Sequence, residues 1–105
     1  MSEIVVRGVR LPMRTQVATE LYRRVVELTV DESDQALLSR PANVMTLSLD
    51  DLDPVQGARI ARAIIAAAGE LRRPYSVPGA SPADVETAAQ LAAISMLIER
   101  AFSAP

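Results

Sequence analysis

The chain has no His, Cys, Trp or Lys; all eleven basic residues are Arg. Those absences remove most nucleophile–base pairs, the nitrogen and sulfur ligands of transition metals, every disulfide and every Schiff-base lysine. Aromatics are scarce too, at two Tyr and one Phe. Base stacking along a single-stranded nucleic acid therefore has little to work with. No Gly-rich phosphate loop occurs, because Gly57, Gly69 and Gly79 stand alone. Long apolar runs are missing as well. The weakly polar stretch 60–69 is about half the ~20 residues a bilayer span needs. The start, Met1-Ser2-Glu3, does not read as a signal peptide, and the expected compartment is the cytoplasm.

Present instead is a chain of 105 residues, half of them apolar. That is enough for one domain over 1–105 with a core of Val, Leu, Ile, Met and Ala. The net charge of −2 is unevenly spread. Residues 1–30 carry +2, 31–53 carry −5, 54–73 carry +3 and 74–105 carry −2. Alternating blocks of this kind steer charged partners without a general pull toward nucleic acid or anionic membrane.

Residues 3–11 are dense in Val and Ile and read as a strand ended by Pro12. Residues 14–30 read as an amphipathic helix. Val17, Ala18, Leu21, Tyr22, Val25 and Leu28 share its apolar face, and Glu20 is spaced to pair with Arg24. A short helical turn fits Gln35–Ser39, and Met45, Leu47 and Leu49 alternate with polar residues as a second strand over 43–49. Asp53-Pro54-Val55-Gln56 and Ser81-Pro82-Ala83-Asp84 each read as a capped helix start with Pro at the first turn. Between the two helices, 74–82 is a Pro-rich connector. The expected fold is a small α+β domain of two short strands and three main helices, in the order strand, helix, strand, helix, helix.

Helix 54–73 is apolar around most of its circumference and should lie centrally, with Gly57, Ala61 and Ala68 forming a smooth groove. Helix 83–102 carries two apolar stripes. Leu91, Ile94, Ile98 and Phe102 form one, and Val85, Ala89, Ala92 and Met96 form another on nearly the opposite side. A small domain uses one such stripe easily; the second is covered either by the rest of the same fold or by another chain, and in the latter case it is the candidate partner-binding face, with a homodimer as the expected state. Arg59 and Arg62, or the acidic block 31–53, would steer the encounter. Tyr75 in the connector is a further candidate anchor.

Catalysis has fewer candidates. Asp50, Asp51 and Asp53 lie between a strand and a helix start but lack the spacing of a calcium loop, and Asp31, Glu32 and Asp34 read as a solvated loop. An enzyme would have to use Asp and Arg, with Asp50, Asp51 or Tyr22 buried beside an Arg. No catalytic residue, metal or cofactor is assigned. The expected function is that of a non-catalytic regulatory or adaptor protein binding another protein or a second copy of itself, with no membrane partner.

Nucleic acid is the second class of partner. Val9-Arg10-Leu11-Pro12, followed by a helix with Ala18, Leu21 and Val25, resembles the opening of ribbon–helix–helix repressors. That resemblance spans about 20 residues and implies a strand that pairs with its copy and turns Arg7 or Arg10 toward the bases. The chain departs from the family where a second helix should follow residue 30, since Pro41 and the strand-like 43–49 intervene.

Overall fold

A computed structural model describes residues 3–40 and 46–103. Strands β1 (Glu3–Val6) and β2 (Val9–Pro12) form a hairpin. Helices α1 (Thr15–Leu28) and α2 (Glu32–Leu38) follow, then β3 (Thr46–Ser48), α3 (Pro54–Arg72) and α4 (Pro82–Ser103). The α+β class stands, with three strands and four helices among the described residues rather than two strands and three main helices. Single 3₁₀ turns occupy Leu49–Asp51 and Arg73–Tyr75. Met45 and the start of the expected second strand lie outside the described residues.

The first strand of the sequence reading is in fact two strands. The chain reverses at Arg7 (φ 48°) and Gly8 (φ 74°), two left-handed residues in succession. That is the backbone of a two-residue hairpin turn whose twist suits the flanking strands. Glycine takes this conformation freely, but Arg does so only with support. Asp50, just after β3, supplies it. Its carboxylate accepts the backbone N–H of Arg7 at 2.6 Å and of Gly8 at 2.8 Å. The Arg7 guanidinium in turn donates to the Ala101 carbonyl in the last turn of α4 at 2.7 Å. Asp50→Ala should cost about 1–2 kcal/mol in chemical denaturation, because both amides lose a charged acceptor. A loss indistinguishable from zero would show that the turn holds itself.

The sheet order is β2-β1-β3, with β1 antiparallel to β2 and parallel to β3. Ile4, Val6 and Leu47 on one face are buried, while Glu3, Val5, Thr46 and Ser48 on the other stay half-exposed. This alternation is the period-2 pattern of a sheet covered on one side. The helices complete the core. α1 buries Val17, Ala18, Leu21 and Val25, the face its periodicity predicts. α3 is central as expected and packs against both α4 and α1. Gly57, Ile60, Ala61, Ile64, Ala67 and Ala68 are all buried along it.

Both predicted caps form. Asp53 accepts from the N–H groups of Val55 and Gln56, at 3.1 and 3.2 Å, and Ser81 accepts from Asp84 N–H at 3.2 Å. The Gln56 side chain does not close a reciprocal box with Asp53; it donates to Asp34 at 3.0 Å. Arg24 is not tied to Glu20 either. It bonds Glu27 and, on α3, Glu70 at 2.6 Å. Glu20 faces Tyr75 instead.

Candidate protein-docking face

α4 sorts its two apolar stripes to opposite environments. Leu91, Ile94 and Ile98 are at most 2 % exposed, while Phe102 at the end of that stripe is 38 % exposed. On the other side Val85 is 56 % and Met96 51 % exposed, Ala89 is exposed and Ala92 half-buried. The cause is geometric. One helix presents one stripe to a core, and α3 with the sheet already fills the space that the first stripe faces.

The exposed stripe does not stand alone. α3 contributes Ala58, Ile65 and Gly69 beside it, and together the two helices form a continuous shallow groove. Ile65 and Glu99 line its middle, Ala58 and Phe102 one end, and Gly69, Ala92 and Met96 the other. Arg62, Arg72 and Glu99 stand on its rim. The Pro-rich connector is what folds α4 back beside α3. Gly79 (φ 77°) lies in its turn, and Pro82 opens α4.

Four of the seven partner candidates, Val85, Ala89, Ala92 and Met96, thus fall on one helix face with Arg62 across the groove. Arg59 and Tyr75 lie elsewhere. Tyr75 packs against the core and turns its hydroxyl to Glu20 at 3.5 Å. The Glu20 charge, with burial behind it, pushes its phenol above the ordinary tyrosine value.

Arg59 is bound to Asp34, a residue the sequence reading placed in a solvated loop. Asp34 lies inside α2 and is 2 % exposed. Arg59 holds it in a two-pronged ion pair, Nε to Oδ2 at 2.8 Å and Nη2 to Oδ1 at 2.9 Å. That guanidinium keeps the Asp34 carboxyl below the usual carboxylate range, against the opposing effect of burial. The signal was in the sequence. Asp34 is three and four residues from Leu37 and Leu38, so any helix here buries all three together. Oδ1 accepts from both Gln56 and Arg59 and Oδ2 from Arg59, so the carboxylate is held in place by α3.

The other candidate sites are also engaged within the fold. Asp50 clamps the hairpin and Asp53 caps α3. Tyr22 donates to the Leu38 carbonyl at 2.8 Å. Among the described residues, no cluster of three or more Asp or Glu side chains is placed to hold a metal ion. Among the same residues, no helix is long and apolar enough to cross a membrane. Arg7 sits in the hairpin turn and Arg10 pairs with Glu3 on the strand beside it. The segment that a ribbon–helix–helix dimer would pair with its copy is here paired with β1 of its own chain.

Comparison with known proteins finds no matching family model, curated protein or solved structure.

Proposed function

We propose that this chain is a small non-catalytic regulatory or adaptor protein that works by binding protein through the outer face of α4 and the adjoining side of α3. The observation that carries the reading is the exposure of Val85 and Met96 on a helix whose opposite stripe is buried. Large apolar side chains gathered on one groove, with charges on its rim, have the composition of an interaction surface. Arg62 and Arg72 set the rim's positive field and Glu99 its negative one, which favours a partner of mixed charge.

Met96→Glu and Ala92→Glu test this. Each puts a carboxylate where a partner's apolar surface would sit, so association should be lost. The fold should hold, with stability changed by no more than about 0.5 kcal/mol for Met96→Glu, as for other surface substitutions. Circular dichroism and thermal melting read the fold; sedimentation and capture by the immobilised protein read association. A Met96→Glu chain that unfolds would make the stripe part of the core. One that keeps every association of the parent would take binding away from this face.

A further inference from the structure

We infer that the occupant of the α3–α4 groove is a second copy of this chain, packed about a two-fold axis that runs along the groove. This rests on the reading that the face docks protein, and it names the partner. The first argument is charge. Arg62 and Glu99 line the same stretch of the groove, from α3 and α4, and both are exposed. Yet among the described residues neither enters an ion pair within the chain, although several other Arg do. A two-fold interface sets each residue i against j and each j against i, so charges on it are matched only when both signs lie on one surface. An axis along the groove lays α4 of one copy over α3 of the other. Because Arg62 and Glu99 stand at one level, each Glu99 then meets the partner's Arg62, twice per dimer.

Shape gives the second argument. The face sets large side chains beside small ones: Met96 is half exposed, Ile65 and Phe102 lie lower against the core and against Gly57, and Ala58, Gly69 and Ala92 leave room between them. Gly69 is the telling position. A Cβ built there meets nothing within 4 Å, so no packing inside the chain calls for glycine. Glycine in a helix interior weakens the helix, and here it leaves a hollow on the side facing the groove. Under the proposed axis the partner's Met96 descends between Ile65 and Gly69. The extent also fits. Helices of 19 and 22 residues side by side project about 600 Å², and surface relief brings that near the ~800 Å² per partner of a standard interface.

Charge reversal separates this from docking in general. The purified parent should sediment as a dimer in the micromolar range at low salt. Glu99→Arg alone, or Arg62→Glu alone, sets like charges together twice and should raise the dimer Kd roughly 100-fold. An equimolar mixture of the two variants should recover dimers near the parent's affinity, because each chain then supplies the charge the other lacks. Circular dichroism confirms that each is folded; if one is not, Glu99→Gln and Arg62→Gln replace the reversals, and each should weaken the dimer by a smaller factor. A monomeric parent, reversals without effect, or a mixture that stays monomeric would each overturn the proposal. A monomeric parent that still captures a different protein, with capture abolished by Met96→Glu, would overturn the second copy but leave the docking face standing. A face that binds neither would remove both.

Discussion

Replacing Arg59 by Ala should destabilise the protein more than replacing Asp34 by Asn, although Asp34 is the buried partner. The Asp34 side chain is 3 % exposed and that of Arg59 42 %. An isolated Arg59 can turn into water, but an isolated Asp34 cannot. Arg59→Ala leaves the carboxylate with the Gln56 amide as its side-chain donor at 3.0 Å. Stranding the Asp34 charge in this way costs on the order of 3 kcal/mol, a large share of the roughly 5–15 kcal/mol that holds a domain together. Asp34→Asn removes the charge itself and keeps an acceptor oxygen, for a loss of about 1–2 kcal/mol. Adding Asp34→Asn to Arg59→Ala should therefore restore stability rather than lower it further. The pH dependence has a definite sign. In the parent, Asp34 titrates below its unfolded value of 3.8. Its contribution is fully present above that value and is lost as the pH falls through the lower folded one. Without Arg59, only the Gln56 amide still favours the charged form, burial outweighs it, and the variant regains stability as the carboxyl protonates. The gap between parent and Arg59→Ala should be wide near pH 7 and narrow near pH 3, by urea denaturation. An unchanged gap would show that the pair does not bear on stability.

What the sequence discloses follows from the range of each interaction. Periodicity within one element is local, so the buried face of α1, the central position of α3 and the two stripes of α4 were legible. Capping is local as well, and Asp53 and Ser81 stand where their spacing put them. The hairpin carries no local signal, because Arg7 occupies a turn position that Asn, Asp or Gly ordinarily marks, and its support comes from Asp50, 43 positions away. For Asp34 the spacing to Leu37 and Leu38 is a local signal, but its charge partner is not. Its helix is only seven residues long, and its charge partner is 25 positions away on α3. The local rule for Arg24 favoured Glu20, whereas the tertiary packing of α1 on α3 offered Glu70. Of the candidate face, the α4 stripe was visible as a spacing. The α3 half, with Ile65 and Gly69, was not, because which side of an apolar helix stays uncovered depends on how its neighbours pack.

The same division between local pattern and long-range support makes Leu47 a critical side chain of the sheet. β3 has three residues and pairs with β1 in parallel, the less stable arrangement per residue. So short a ladder cannot stand on its backbone bonds alone. Leu47 is the one side chain of β3 that is fully buried, and it lies beside Ile4, which is equally so. Leu47→Ala should lower stability by about 3 kcal/mol, the sum of lost transfer energy and an incompletely collapsed cavity. Leu47→Ile keeps the volume and should cost less than about 1.5 kcal/mol. Leu11→Ala, at the one half-buried residue of the exposed outer strand, should cost about 1 kcal/mol because little apolar area leaves water there. The loss at Leu47 should also be localised, and hydrogen exchange should show the amides of Thr46–Ser48 and their β1 partners opening before those of α3. Asp50 ties this outcome to the hairpin, since it leaves β3 by only two residues and holds the Arg7–Gly8 turn. Once β3 is loosened, the clamp has less to hold. Leu47→Ala and Asp50→Ala together should cost less than the sum of their separate losses. Strict additivity would mean that the hairpin and β3 are secured independently.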